Sequence, residues 1–512
     1  MALEKKSTLQ ERSWIMYDWA NSVYATIIMA AVLPTYFAAM HENADAWWGW
    51  GTSIATFAIA ILAPILGAIA DYKGMKKKLF SFFLILGVVF TSAIAFTDRW
   101  EFMLIGYMIS YIGFSGSCLF YDSFLTDVTT PARMDDVSAK GYAMGYIGGS
   151  TIPFILSIVL IFVMKDNNAL AVKLSIVLTS VWWALFSIPF LKNCKQQHSI
   201  GEIPKDFVKQ SFLNVGRTFR SIVSNKALFF FILAYFFYID GVGTVIHLST
   251  AYGTTLGLST VSMILALLVT QLVAAPCSVL FAKFSDKLGS IKMLGVAIGV
   301  YFVICGVGFY MGWSIEPTQN ISEAAFTEAY TSVVPEATDD KSEYYDTFLS
   351  ARNKISSSSR TENVLAVIQE SEELDEATKA SLKTKLTPVL DDITATGAHD
   401  AALKVSNTLF WIMAILVGTC QGGIQALSRS YFGKLVPPEK SNEYFGFFDI
   451  FGKFAAVIGP ALYALVRTIT GSAALGILGL MVLFAIGGLM LFLGRKHFKA
   501  AEFERAAMAT EV

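Results

Sequence analysis

The chain has 512 residues, 54% hydrophobic and 14% aromatic, with only 15% charged and a mean hydropathy of +0.55. Soluble domains carry nearer ~25% charged residues, so there is too little polar side chain here to coat a water-exposed surface. That excludes a soluble enzyme, a nucleic-acid binder and a disordered scaffold, and leaves an integral membrane protein. The net charge of −1 conceals an asymmetry. Ser314–Val405 holds 17 acidic and 8 basic residues, so an acidic polar insert interrupts a basic, apolar body. None of the five cysteines falls in a CxxC pair, so neither a disulfide framework nor a metal site is expected.

A helix needs about 20 mostly apolar residues to cross a bilayer. Twelve segments qualify: Trp14–Met40, Trp47–Ala70, Leu79–Phe96, Phe102–Leu125, Gly141–Met164, Ala171–Leu191, Ala227–Ser249, Thr260–Phe281, Met293–Trp313, Thr408–Tyr431, Glu443–Leu465 and Ala473–Gly494. Met1–Ser13 is charged and lacks a small-residue cleavage site, so it reads as a leader to the first span rather than a signal peptide. Most of the Lys and Arg lie in Asp71–Lys78, Arg133–Lys140, Lys192–Lys226, Lys283–Lys292, Arg429–Lys440 and Arg495–Arg505, which alternate with base-poor turns. The positive-inside rule puts these six linkers and both termini in the cytoplasm, and the insert outside. Within the insert, Leu374, Ala377, Leu382, Leu386, Val389 and Ile393 recur with helical spacing. A small helical cap over the outer mouth is the expectation; a solvated decoration is its rival.

Two internal repeats organise the chain. Gly67, Asp71, Lys73, Gly74 and Lys77 mark a turn between spans that recurs around Asp286, Gly289 and Lys292, and the two aspartates are 215 residues apart. Gly113, Gly141 and Pro153 correspond to Gly418, Gly446 and Pro460 at offsets of 305, 305 and 307. The offsets differ by about 90, close to the 92 residues of Ser314–Val405. The expected domains are therefore an N-terminal six-helix half (1–191), a linker (192–226), a C-terminal half (227–313 and 406–494), the insert (314–405) and a tail (495–512).

Two parallel six-helix halves resemble the major facilitator superfamily. The turn at Asp71 resembles that superfamily's loop motif, departing from it at Tyr72, where a basic residue is usual. Tyr17–Ser22, Gly141–Tyr146, Asp240–Val242, Gln421–Ser430 and Phe451–Phe454 resemble the "unknown major facilitator" family, similar to the vacuolar amino-acid effluxer of fungal autophagy. The resemblance covers all twelve spans and omits the insert. It implies an all-α membrane protein that transports by alternating access, with Asp71 and Asp286 as cytoplasmic gate residues.

An ionisable side chain near the bilayer centre costs at least about 2.5–3.5 kcal/mol, so each should face a cavity or a partner. The candidates are Asp18, Asn21, Asp122, Asp240, His247, Gln421, Gln425, Asp449 and Lys453. Asp240 is mid-span with nothing nearby in sequence to neutralise it, so it is read either as a proton-coupling group or as a helix-pinning hydrogen bond. Asp449 and Lys453, four residues apart, can pair on one face, or Lys453 can meet a substrate carboxylate. Gly141, Gly145 and Gly149 repeat every four residues, a packing signal.

No HExxH, GxSxG or Walker loop is present, so an enzyme is not expected, nor a cofactor. The expected function is secondary transport of a small solute, leaning to an amino acid or related zwitterion, as efflux and with protons as the coupling ion. The protein is expected to be a monomer, multi-pass in a bacterial inner membrane or in an organellar membrane if eukaryotic. A membrane receptor sensing through the insert is the alternative, and the duplicated gate turns argue against it.

Overall fold

The computed structural model describes residues 7–38, 40, 44–204, 206–355 and 359–510. Parts of the predicted leader, the first span, the linker, the insert and the tail lie outside these residues: 1–6, 39, 205, 356–358 and 511–512. Every regular element among the described residues is helical, and twelve helices are long and apolar enough to cross a membrane. They are Leu9–Ala38 (α1), Trp47–Ala70 (α2), Met75–Ile94 (α3), Trp100–Val128 (α4), Met134–Val163 (α5), Asn168–Asn193 (α6), Lys226–Thr255 (α7), Leu265–Leu288 (α8), Ser290–Thr331 (α9), Ala398–Leu435 (α10), Pro438–Thr470 (α11) and Ala473–Glu504 (α12).

The first span begins five residues earlier than hydropathy suggests. Thr8 accepts the Glu11 N–H while Glu11 accepts the Thr8 N–H, a capping box that starts a helix whatever the polarity of its first turn. Two stretches widen to π-helix geometry: Tyr24–Ala31 within α1 and Gly145–Thr151 within α5. Helices α1–α6 form one bundle and α7–α12 the other. Across the seam α2 packs on α11, and α5 on α8 and α10. The α2–α11 crossing needs glycine, because a Cβ on Gly446 would lie 2.7 Å from the Ala63 carbonyl oxygen.

The insert is not divided from the bundle by loops. α9 runs 42 residues unbroken, about 63 Å at 1.5 Å per residue, roughly twice the hydrocarbon thickness. α10 likewise starts at Ala398. The hydropathy boundaries at Ser314 and Val405 are changes of solvent, not of backbone, because helical hydrogen bonds do not depend on side-chain polarity. Between these extensions the helices Tyr345–Arg352, Arg360–Glu370 and Glu376–Thr396 close a second core on Phe326, Tyr330, Phe348, Leu382 and Leu386. The expected amphipathic helix is Glu376–Thr396; Leu390 completes its apolar face, while Ala377 is exposed.

Arg360, 1% exposed, ties the insert together. It donates to the Ile355 carbonyl (3.1 Å) and Thr394 Oγ1 (2.9 Å) and pairs with Asp400. Asp400→Asn should therefore destabilise the insert by about 2 kcal/mol, less than for a fully buried pair because Asp400 is itself partly exposed. Hydrogen exchange in Arg360–Glu370 should quicken while the spans keep their protection; unchanged exchange there would show that the pair carries no load.

Candidate substrate cavity and gate

A cavity of about 640 Å³ lies between the halves. Its lining climbs from Arg429 and Asp18 to Ala31, Phe154 and Thr250, toward the insert end. The two π-helical stretches touch beside it and supply Thr26, Met29, Tyr146 and Ser150. A π turn carries an extra residue and loosens the ladder of backbone bonds, a distortion that gathers at functional sites.

Asp18, Asn21, Asp122, His247, Gln421 and Gln425 all line this cavity. At its floor sits Arg429, in sequence the first cation of the Arg429–Lys440 linker and part of the Gln421–Ser430 motif, but not among the candidate residues. Its guanidinium is 3% exposed, 3.2 Å from Asp18 and 2.9 Å from Asp122. It also donates to Ser138 Oγ (2.9 Å) and the Ser138 carbonyl (3.1 Å), and lies over the Trp14 and Tyr142 rings. The Tyr121 hydroxyl donates to Asp18 (2.7 Å). One buried cation is thus held by α1, α4 and α5 of the opposite half. The signal that finds it in sequence is register: Gln421, Gln425 and Arg429 are four apart and share one face of α10.

Asp449 and Lys453 do pair on α11, but they border a separate chamber of about 180 Å³. Asp122 lines both spaces and is the link between them. Asp240 lines neither. It is 1% exposed, and its Oδ1 accepts the Gly459 N–H at 3.0 Å, pinning α7 to α11. His247 shares its helix face but lies about 10 Å along the axis, in the cavity wall.

The end opposite the insert is sealed. Asp71, 1% exposed, accepts the N–H groups of Asn442 (3.0 Å) and Glu443 (3.1 Å) and the Asn442 side-chain amide (2.7 Å). A carboxylate there meets the positive end of the α11 helix. Gly67 makes the approach possible, since its Cβ would lie 2.8 Å from the Asn442 carbonyl carbon. The buried cation of this turn is Lys76, neither Lys73 nor Lys77. Lys76 is fully buried, 2.6 Å from Asp127 and 3.1 Å from Ser441 Oγ, whereas Lys73 is exposed on Glu202 and Lys77 is half-buried.

The second copy does not repeat this arrangement. Asp286 and Lys292 are exposed, and Asp135 of α5 holds the seam instead. It accepts the hydroxyls of Ser285 (2.9 Å), Ser290 (2.7 Å) and Ser430 and pairs with Lys434 (2.6 Å). The first turn of α5 carries Asp135 and Asp136, so a third carboxylate docked there would be repelled. Among the described residues, the side-chain hydrogen bonds that join the halves gather at this end, and the cavity opens toward the insert.

The chain matches the family described as "Vacuole effluxer Atg22 like" over residues 43–334 and 405–501, leaving out most of the insert. It belongs to that family. The uncharacterized MFS-type transporter YxiO of Bacillus subtilis (strain 168) is 38% identical over 501 residues, covering 95% of each chain. Autophagy-related protein 22 of Cryptococcus neoformans is 22% identical over 68% of this chain and 48% of its own. The human organic anion transporter MFSD10 (TETRAN) shares the fold, with a TM-score of 0.58 at 13% identity, covering 95% of this chain and all of the other. This Atg22-like protein is a membrane transporter with the major facilitator fold, not an enzyme.

In this transporter a strap after α6 lies over the gate turn. Ile200 N–H donates to the Asp71 carbonyl (3.0 Å), Lys73 N–H to the Gly201 carbonyl (3.0 Å), and Gly74 N–H to Gln196 (2.9 Å). Asp127 accepts the N–H groups of Gln197 and His198 (both 2.9 Å) and faces the His198 ring nitrogen at 3.0 Å. Hydrogen bonding to Asp127 raises the His198 pKa above its ordinary value, against a smaller opposing effect of burial. A raised folded pKa contributes stability in full below about pH 6.5, and that stability is lost as pH climbs through the folded value. Exchange of the Gln196–Gly201 amides, normalised for intrinsic rate, should therefore quicken between pH 6 and pH 8.5. His198→Gln should flatten the profile; an unchanged profile would remove His198 as the titrating group.

Proposed function

We propose that this protein is a secondary active transporter that moves an amino acid or related zwitterion outward by alternating access, coupled to protons. The observation that carries the reading is the floor of the cavity, where Arg429 lies between Asp18 and Asp122. An ammonium and a carboxylate on one small molecule find opposite charges there. A substrate carboxylate competes with Asp122 for the guanidinium, and its ammonium turns to Asp18. Lys453 is less suited to that role, because Asp449 occupies it outside the main cavity.

Charge balance supports proton coupling. Asp18, Asp122 and Asp449 face two cations, Arg429 and Lys453, across two chambers that share Asp122 as a lining residue. In a low-dielectric site the excess negative charge is costly, and one bound proton removes it. Asp122, common to both chambers, is the carrier that this geometry favours over Asp240. The basic linkers support cytoplasmic termini and an outer insert in a bacterial inner membrane, and the family description supports efflux. Two complete halves enclose the cavity, which supports a monomeric unit.

Asp122→Asn should lose flux driven by a pH gradient while keeping counterflow exchange of labelled substrate; full gradient-driven flux would rule out Asp122 as the carrier. For substrate class, a thermal-shift panel of purified protein should include amino acids, peptides, organic acids, sugars and nucleosides. A zwitterion at a hundred times Kd should stabilise the folded state by about 2.7 kcal/mol. A shift with sugars or nucleosides alone would overturn the zwitterion.

A further inference from the structure

The helix Phe207–Ser224 of the linker is not absorbed by the transport cycle. Asn225 alone separates it from α7, whose first N–H groups donate to the Asn225 side-chain oxygen (Ala227, 3.0 Å; Leu228, 3.2 Å). The helix therefore lies at the depth where α7 leaves the bilayer. One face, with Ser211, Thr218 and Ile222 buried, packs against α2 and α11, and Ser221 meets the Tyr444 hydroxyl at 3.0 Å.

At 100° per residue the other faces fall in a definite order. Next to the packed face runs an exposed apolar stripe of Phe212, Phe219 and Val223, at 58%, 51% and 49% exposure. Beyond it come Arg220 and Arg217, both exposed, with exposed Leu213 between them, and then the polar side of the helix with Gln210, Ser221 and Asn214. Protein lies on one flank, the apolar stripe about 100° on, Arg220 about 80° beyond that and Arg217 about 140° beyond it: this is the order needed by a helix lying in the membrane surface against the bundle. The Phe219 ring also lies 6.1 Å from that of Phe447, a buried residue of α11.

We infer that Phe207–Ser224 is an interfacial helix that binds the anionic phospholipid leaflet at the gate end, with Phe212 and Phe219 in the acyl region and Arg217 and Arg220 on phosphate headgroups. Its packed face lies on the turn of α11 that Asp71 caps, so the bound leaflet supports the sealed state.

The test is hydrogen exchange of the full-length protein in nanodiscs of phosphatidylcholine alone, or with a third phosphatidylglycerol. One basic residue near an anionic surface is worth about a factor of five, so exchange in Phe207–Ser224 should slow by about twenty-five-fold with phosphatidylglycerol. Arg217→Gln/Arg220→Gln should erase the difference, and Arg217→Lys/Arg220→Lys should keep it. Equal exchange in the two lipids for the unaltered protein overturns the inference. So does a lipid dependence that survives the glutamine pair.

Discussion

A guanidinium about two turns inside the end of a membrane-spanning helix and 3% exposed must find its partners in the protein, and Arg429 imposes that condition on everything around it. Its charge is met by carboxylates on α1 and α4, by Ser138 on α5 and by the faces of Trp14 and Tyr142. All of these belong to the opposite half. An uncompensated buried charge costs several kcal/mol, so the halves cannot separate at this level unless something else takes the guanidinium's place among the acids, or an acid's place beside it. The zwitterion proposed as substrate would offer either. The same interaction that closes the floor of the cavity is therefore the one a ligand is best equipped to exchange.

The gate turns show how differently two copies of one motif are used. Asp71 is a buried carboxylate at a helix N-terminus, satisfied by three N–H donors, and Lys76 beside it is neutralised by Asp127. On the other side the helix that would receive Asp286 already carries its own acids, so that aspartate turns outward and Asp135 takes hydroxyls and Lys434. Both arrangements place a buried carboxylate on the seam. What differs is which half supplies it.

The insert and the linker are attached to this machinery in contrasting ways. The insert continues α9 and α10 without a break, so it is built onto the second half, and it has its own core under the Arg360–Asp400 pair. The linker's strap instead lies on the turn of Asp71, while its helix bridges the seam between α2 and the first turn of α11.

Much was legible in the residues alone: twelve spans, two repeated halves, the polar insert and six of the nine candidate residues that line the cavity. Hydropathy and periodicity carry that information because a bilayer penalises every misplaced polar group locally, residue by residue. Partnership is not local. Arg429 stands in sequence as a linker cation because its acids lie more than 300 residues away, and Asp240 stays open between a coupling group and a helix-pinning bond because nothing in its own sequence shows the Gly459 N–H that holds it. Lys76 was passed over for Lys73 and Lys77 because the motif names basic positions and not their burial. The ends of the helices also escaped, since a capping box and an unbroken ladder of backbone bonds are indifferent to hydropathy. The sequence by itself determined which segments enter the membrane and which side chains are too costly to leave unpaired; only the tertiary structure decided their partners, because an electrostatic debt in a low dielectric is settled by whatever lies within about 3 Å in space.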